Sequence, residues 1–231
     1  MGRLAACRSK RFFLYIRALF LAHHHRAIYY MPTTQNIALF ASGNGTNVQR
    51  ICEYFEENER IRPVVLFCDN PKAKVLARAE KLGLPTVGID RAQLKEPSFM
   101  LPKLKQYAVN HIVLAGFLAL VPPFLVKEYA GHIYNIHPAL LPKFGGKGMY
   151  GMNVHQAVVA SGEKESGITV HRVNEHYDQG EILFQARCPI ENNDTAEDVA
   201  AKIHLLEQKY FPTVLEYVLS GKDAKTITQT L

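Results

Sequence analysis

An amide and an imidazole lie two positions apart in the stretch YNIHPALLPK, residues 134–143. Alternate residues of an extended strand project to the same face, so the side chains of Asn135 and His137 would enter the same space. An amide N–H can donate to a developing oxyanion, and an imidazole can transfer a proton or donate as an imidazolium. Pro138 and Pro142 restrict the backbone around the pair. A buried histidine bonded to the backbone is the alternative, and spacing alone leaves both open.

A carboxylate follows in NEHYDQGEILFQ, residues 174–185. Asp178 falls in a turn close to Gly180, between two strand-like segments. From that turn its carboxylate could reach His137, raise the pKa of the imidazole and fix its orientation. We therefore expect activity to fall at high pH, where His137 would lose its proton. An ordinary turn aspartate is the alternative, since aspartate is common in turns.

A glycine-containing turn stands in FASGNGTN, residues 40–47, directly after a strand-like run and before a helical one. Such a turn presents free N–H groups at a helix start to an anion. Thr46 and Asn47 add side-chain donors and could cap the helix. The pattern is not G-x-G-x-x-G, because Val48 stands where the third glycine would be, and it is not a P-loop. We predict a site for a single phosphate, with an ordinary capped turn as the alternative.

The remaining chemical candidates are weaker. The stretch KFGGKGMYGM, residues 143–152, contains four glycines and predicts a mobile loop that could close over a substrate, or else a plain connection. No G-x-S-x-G motif indicates a nucleophilic serine. Three cysteines, Cys52, Cys68 and Cys188, lie in helical or strand patterns, which gives no support for a nucleophilic thiol.

Short apolar runs alternate with amphipathic segments over most of the chain. Such alternation predicts a parallel sheet with helices on both faces. The strand-like runs are 36–42, 63–70, 85–89, 111–117 and 132–137. The helix-like segments are 48–59, 73–83, 99–109, 122–131 and 196–221.

Two later segments, 166–173 and 180–190, alternate apolar and polar residues and are joined by a short turn. That pattern predicts an antiparallel hairpin at the edge of the sheet. The expected fold class is therefore α/β: a Rossmann-like, mostly parallel sheet with helices on both faces and an antiparallel C-terminal hairpin.

The charge distribution argues against nucleic-acid binding. The chain of 231 residues has a net charge of +6, and residues 1–30 contain six basic residues and no acidic one. These six are Arg3, Arg8, Lys10, Arg11, Arg17 and Arg26. Removing them from the 27 Lys and Arg of the chain leaves 21, equal to its 21 Asp and Glu. Residues 31–231 are thus neutral and contain no basic patch visible by composition.

Residues 1–30 are expected to be an extension outside the fold, with Met31 as the start of the working protein and 31–231 as one domain. The extension fits poorly as a signal peptide, a membrane helix or a transit peptide. The four cysteines are scattered without C-x-x-C spacing, which argues against a disulfide framework and a zinc site. A cytoplasmic location is the expectation.

Four motifs together resemble the folate-dependent formyltransferases, over about residues 36–220: SGNGTN, VLAGF, NIHPALLPK and YDQGEILFQ. SGNGTN narrows the resemblance to members that bind a phosphorylated amine. The resemblance implies the formyltransferase fold and transfer of the formyl group of 10-formyltetrahydrofolate to the amine of 5-phosphoribosylglycinamide, in de novo purine biosynthesis. It implies small-molecule substrates, no metal, no nucleic-acid or membrane partner, and is compatible with a homodimer.

The resemblance also implies roles for particular residues. Asn135, His137 and Asp178 would be catalytic, with Asn135 also contacting the folate. The residues expected to line the substrate phosphate are Gly45, Thr46, Asn47, Val48 and Gln49. Glu207 would bind the ribose hydroxyls. The segment expected against the pteridine is Leu118, Ala119, Leu120 and Val121.

Three other functions compete with this one. A hydrolase that transfers the formyl group to water would share the catalytic residues, without needing the phosphate loop and with an additional N-terminal domain. An enzyme that formylates initiator tRNA would have a basic C-terminal domain, which we do not expect here. A non-catalytic folate- or nucleotide-binding protein would lack one of the catalytic residues, and all three are present.

Overall fold

The computed structural model describes residues 34–222. The expected extension at residues 1–30 lies outside the described residues, so that boundary stays a prediction. Among residues 34–222, no helix combines the length and the apolar character needed to cross a membrane.

Seven strands form one sheet in the order β3-β2-β1-β4-β5-β6-β7. The strands are β1 Gln35–Ala41, β2 Ile61–Cys68, β3 Thr86–Gly88, β4 His111–Leu114, β5 Ile133–His137, β6 Glu165–Arg172 and β7 Ile182–Pro189. The first five pair in parallel, whereas β6 pairs antiparallel with β5 and with β7. This arrangement confirms the predicted mostly parallel sheet with an antiparallel C-terminal hairpin.

Seven helices connect or follow these strands within residues 34–222. They are α1 Thr46–Tyr54, α2 Val75–Lys81, α3 Arg91–Leu94, α4 Pro97–Gln106, α5 Pro123–Glu128, α6 Met152–Ala160 and α7 Ala196–Leu219. Helix α7 begins with a capping box in which Thr195 and Asp198 bond each other's backbone N–H, and Pro212 lies inside it.

The predicted helices differ from the observed ones at a few boundaries. Helix α1 ends at Tyr54 rather than at residue 59, because the side-chain oxygen of Asn58 accepts hydrogen bonds from the N–H groups of Arg60 and Ile61. Those bonds form the turn that leads into β2. The sequence patterns did not predict α3 or α6.

Apolar side chains of β1 alternate between two clusters on opposite faces of the sheet. Ile37 and Leu39 belong to the cluster that includes side chains of α1 and α7. Ala38 and Phe40 belong to the cluster that includes side chains of α4 and α5. Burial on both faces explains why the strand is continuously apolar in sequence.

The carboxyl ends of β1, β4 and β5 lie side by side at one edge of the sheet. The chain order reverses between β1 and β4, since β2 and β3 lie on one side of β1 whereas β4 and β5 lie on the other. Ligands of open α/β sheets bind in the crevice at such a reversal. The loops after these three strands are therefore the place to look for a site.

At the opposite ends of these strands, where β4 begins, lies the buried His111. Nε2 of His111 donates to the side-chain oxygen of Gln35 at 2.7 Å, and its Nδ1 lies 3.2 Å from Nδ1 of His132, which must then be the donor. Burial, together with the charge of a protonated His132, lowers the pKa of His111 from 6.5 to about 4. The neutral ring thus links the starts of β1 and β4.

We expect this pKa to make the fold acid-sensitive. Unfolded His111 takes up a proton near pH 6.5 and the folded residue near pH 4, so the stability that it contributes is present above pH 6.5 and lost between those values. From pH 7.5 to pH 5.0 the loss should be about 2 kcal/mol. The free energy of unfolding of His111→Gln, measured by urea unfolding, should depend correspondingly less on pH. That of the exposed control His176→Gln should depend on pH as the wild type does. Equal dependence in His111→Gln and the wild type would contradict the assignment.

Candidate active site

Ser42 joins the loop after β1 to the loop after β4. Its N–H donates to the carbonyl of Gly116 at 3.0 Å, and its hydroxyl accepts from the N–H of Leu118 at 3.0 Å. The side chain is buried, with 6 % of its surface exposed. The glycine loop and the segment that follows β4 are therefore held together as one rim of the crevice.

Asn135 and His137 occupy alternate positions at the end of β5, as their spacing predicted. The amide Nδ2 of Asn135 lies 3.0 Å from Nε2 of His171, its register partner on β6. His171 is buried, and its Nδ1–H donates to the carbonyl of Arg172 at 3.0 Å. The sequence interpretation missed His171, because only the antiparallel register of β6 against β5 brings it to this position.

Asp178 lies beside both imidazoles. Its Oδ1 is 3.6 Å from Nδ1 of His137 and 3.6 Å from Nε2 of His171, and its Oδ2 accepts from the N–H of Gly146 at 2.9 Å. The residue has φ of 54°, a left-handed conformation that is uncommon outside glycine. The turn of the hairpin thus places a carboxylate against the end of β5, where the sequence predicted that it could reach.

The hydrogen bonds of the two rings assign most of their protons. Nε2–H of His137 donates to the carbonyl of Phe144 at 2.8 Å, because a carbonyl can only accept. In the neutral ring Nδ1 of His137 then faces Asp178 without a proton. Nε2 of His171 accepts from Asn135 when unprotonated, and a proton on it would face Oδ1 of Asp178, 3.6 Å away. The cluster can therefore take up a proton between a ring nitrogen and the carboxylate.

Burial determines the charge states in this cluster. It lowers the pKa of His137 below 6.5 and outweighs the charge of Asp178 and the Phe144 carbonyl, both of which raise it. For Asp178 burial raises the pKa, but a hydrogen bond from His171, the charge of His137 and the N–H of Gly146 together hold it below its usual value. At neutral pH the carboxylate is charged and the His137 ring is neutral.

The expectation that Asp178 raises the pKa of His137 overall is therefore wrong. The carboxylate does act in that direction, but removal of the ring from water acts more strongly in the opposite one. The expected loss of activity at high pH through deprotonation of His137 is not supported either, because this pKa already lies below 6.5.

Helix α1 begins at the glycine loop with no side-chain cap. Gly45 is the N-cap residue, with φ of 78°, so the expected capping by Thr46 or Asn47 is wrong. Thr46, Asn47 and Val48 have N–H groups without an intrahelical acceptor, whereas the N–H of Gln49 bonds the Gly45 carbonyl at 3.0 Å. Uncapped N–H groups at a helix start are suited to an anion.

The side chain of Asn47 links this loop to α7. Its Nδ2 donates to Oε2 of Glu207 at 3.1 Å, and its Oδ1 accepts from Nε2 of Gln208 at 2.9 Å. Nδ1 of His204 lies 3.6 Å from the same Glu207 oxygen, and the hydrogen bond to Glu207 raises the pKa of His204. Glu207 therefore lies beside the start of α1. The sequence interpretation missed the two polar side chains next to it, His204 and Gln208.

The segment after β4 presents alternate apolar side chains to solvent. Leu118 and Leu120 are 50 % and 42 % exposed, whereas Ala119 and Val121 pack into the core cluster. Ala119 and Val121 can therefore contact a ligand chiefly through their backbones. Two exposed leucines on the rim of the crevice suit one face of an apolar ring.

The glycine-rich stretch 143–152 is tied to the catalytic candidates. The carbonyl of Phe144 bonds His137, and the N–H of Gly146 bonds Asp178. The stretch is irregular until α6 begins at Met152. Its position therefore affects the orientation of both groups.

Comparisons with known proteins give one consistent result. The profile of the family described as Formyl transferase matches residues 35–215. A chloroplastic phosphoribosylglycinamide formyltransferase of Arabidopsis thaliana is 40 % identical over 190 residues, covering 80 % of this chain and 65 % of that protein. The phosphoribosylglycinamide formyltransferase of Bacillus subtilis (strain 168) is 37 % identical over 190 residues, covering 80 % of this chain and 95 % of that protein.

The solved structures agree in fold. Glycinamide ribonucleotide transformylase 1 from Geobacillus kaustophilus aligns with a TM-score of 0.73 and 35 % identity, covering 80 % of this chain and 99 % of that one. The chain spans less than two thirds of the length of its plant relatives: 65 % for Arabidopsis thaliana and 60 % for Vigna unguiculata.

The charge states can be tested by nuclear magnetic resonance titration of the His137 ring. We expect a pKa below 6.5, and a still lower value in Asp178→Asn, because that change removes an anion that favours the protonated ring. Asp194→Asn, a change at the ion pair of Asp194 with Lys202 just before and within α7, serves as the control and should leave the His137 titration unchanged. A wild-type pKa above 6.5, or no response to Asp178→Asn, would contradict this account of the cluster.

Proposed function

The chain belongs to the formyl transferase family, and on that premise we propose that it transfers the formyl group of 10-formyltetrahydrofolate to the amine of 5-phosphoribosylglycinamide, a step of purine biosynthesis. One observation carries the proposal most strongly. The Asn135, His137 and Asp178 cluster lies two strands away from an uncapped helix start that is linked to Glu207.

The spacing of these features suits a phosphorylated ribose with an amine at its far end. Strands β1, β4 and β5 are neighbours, and neighbouring strands lie about 4.8 Å apart, so the glycine loop and His137 are separated by about 10 Å across the sheet. The phosphate would bind the N–H groups of Thr46, Asn47 and Val48. Glu207 would accept hydrogen bonds from the ribose hydroxyls between the two ends.

Positioning of the amine would supply much of the rate enhancement. With the phosphate held at the helix start, the amine nitrogen reaches the formyl carbon beside His137 and Asn135. The new C–N bond places negative charge on the formyl oxygen. The amide of Asn135 has a second N–H besides the one directed at His171, and that N–H would donate to the oxyanion.

The proton of the attacking amine would go to the cluster of His137 and Asp178. Nδ1 of His137 is unprotonated at neutral pH and faces an ionised carboxylate, so proton uptake there relieves an unfavourable contact. When the tetrahedral intermediate collapses, the C–N10 bond breaks and the cluster returns the proton to N10 of the folate. Base and acid are thus one group, and no net proton is consumed.

The pteridine would pack against the side chains of Leu118 and Leu120, with the backbones of Ala119 and Val121 available for hydrogen bonds. Gln49 would act indirectly, because its N–H and its side chain already have partners within the protein. Within residues 34–222, no three His, Cys, Asp or Glu side chains are placed to hold a metal ion together. None of the steps above uses a metal ion.

Other aspects of the function stay predictions. The names of the plant relatives place those proteins in the chloroplast, and the cytoplasmic location expected for this chain is untested. The same holds for a homodimer and for the expected absence of nucleic-acid and membrane partners. Imaging of the full-length protein fused to a fluorescent protein would test the location.

Formyl transfer can be tested spectrophotometrically with 10-formyltetrahydrofolate, with and without 5-phosphoribosylglycinamide. We expect folate turnover only when the ribonucleotide is present, and a fall in kcat of at least about 100-fold in His137→Ala, because the proton acceptor is lost. His132→Ala, at the opposite edge of the sheet, is the matched control. Turnover without the ribonucleotide would instead indicate a hydrolase. Absence of turnover under both conditions would favour a binding protein.

The pH–rate profile is a separate test of the proton acceptor. Activity should be level from neutral to mildly alkaline pH and fall on the acid side with a pKa below 6.5, since a protonated His137 cannot accept the amine proton. The residual activity of Asp178→Asn should show that acid limb at lower pH. A profile that falls only on the alkaline side would require a protonated His137 and would overturn the proposed step.

A further inference from the structure

Helix α2 packs directly on the glycine loop that follows β1. The N–H of Val75 donates to the carbonyl of Gly43 at 3.1 Å, and Nε of Arg78 donates to the carbonyl of Asn44 at 2.9 Å. A Cβ atom on Gly45 would lie 2.3 Å from the Val75 side chain, so the loop and the helix touch without space for a larger residue. Two consecutive carbonyls of the loop are therefore directed toward α2.

These carbonyl contacts determine where the neighbouring N–H groups point. In a trans peptide the C=O and the N–H of one plane point in opposite directions. Because the carbonyls of Gly43 and Asn44 face α2, the N–H groups of Asn44 and Gly45 face away from it. They join those of Thr46, Asn47 and Val48 in one run, and within residues 34–222 none of the five has a hydrogen-bond acceptor. Successive N–H groups of this kind form an anion-binding concavity.

Arg78 contacts both the loop and the helix that follows it. Besides the bond from Nε to Asn44, one terminal guanidinium nitrogen donates to the side-chain oxygen of Gln49 on α1. None of the ion pairs within residues 34–222 includes Arg78, so its positive charge is not neutralised by a neighbouring carboxylate. The side chain is half-buried between α1 and α2.

We propose that Arg78 is a positioning residue for the phosphate of the substrate. The two hydrogen bonds of its guanidinium hold the Asn44 carbonyl away from the phosphate, so that the N–H groups of the loop converge on the phosphate. Its charge adds to the positive end of α1. The inference rests on the proposed function for the identity of the phosphorylated substrate, but not for the phosphate site itself. Lysine would keep the charge but could not make both contacts, because it lacks the planar fork of arginine.

Arg78→Lys and Arg78→Ala separate these contributions. For both variants we expect the dissociation constant of ribose 5-phosphate, measured by isothermal titration calorimetry, to rise about tenfold or more, because the loop loses a charged hydrogen bond. The KM for 5-phosphoribosylglycinamide should rise in parallel. The kcat and the KM for 10-formyltetrahydrofolate should stay within about threefold of the wild type, because groups around His137 are untouched. Arg62→Lys and Arg62→Ala, on the exposed start of β2, are the matched controls.

Each outcome decides the inference. Arg78→Lys behaving as the wild type would show that charge alone acts, and would overturn positioning through the fork. A fall in kcat with unchanged KM would do the same, as would wild-type protein that fails to bind ribose 5-phosphate. If the wild type binds ribose 5-phosphate in an Arg78-dependent manner but transfers no formyl group, the proposed function fails and the role of Arg78 stands. Circular dichroism of the variants identifies any loss of fold.

Discussion

The carboxylate of Asp178 is the contact on which the site depends. It lies at hydrogen-bond distance from the N–H of Gly146 and close to the imidazoles of His137 and His171. These three partners come from the glycine-rich stretch, from β5 and from β6, so one side chain joins three separate segments. Its left-handed backbone shows that the hairpin turn accommodates this placement at some conformational cost.

Burial and charge oppose each other throughout this cluster. Bringing the catalytic candidates to the end of a parallel strand removes them from water, which disfavours the charged imidazole more than the neighbouring carboxylate favours it. The result is a charged carboxylate next to a neutral ring. That combination suits the removal of a proton from an amine, whereas a permanently charged ring would suit only donation.

Much of the fold, and part of the site, follows from sequence patterns. The continuous apolar runs, the C-terminal hairpin and the placement of Asn135 with His137 depend on local periodicity, which one sequence contains. The nearness of His171 depends on the register of two strands, and the pKa of His137 on its burial, neither of which has a local signal. The uncapped start of α1 was missed because Thr46 and Asn47 are good capping residues, yet Gly45 takes the cap position.

Helix α6 was missed for a related reason. It follows a glycine-rich stretch without a capping side chain, and its sequence MNVHQAVVA has a weak amphipathic pattern. Helix α3, of four residues, is too short for periodicity to indicate, although Asp90 and Gln93 form a capping box at its start. Neither helix has the repeat of apolar residues along the chain from which a helix is predicted.

The glycine-rich stretch couples the closure of the crevice to the protonation of His137. Because Phe144 and Gly146 bond His137 and Asp178, movement of the stretch away from the crevice would break both bonds and admit water to the imidazole. Exposure of the ring to water would raise its pKa, whereas loss of the bond to the Phe144 carbonyl would lower it; burial is the larger of the two effects in the closed structure. A ligand that held the stretch in place would therefore also hold His137 in its neutral form, so closure of the site and readiness to accept a proton would go together.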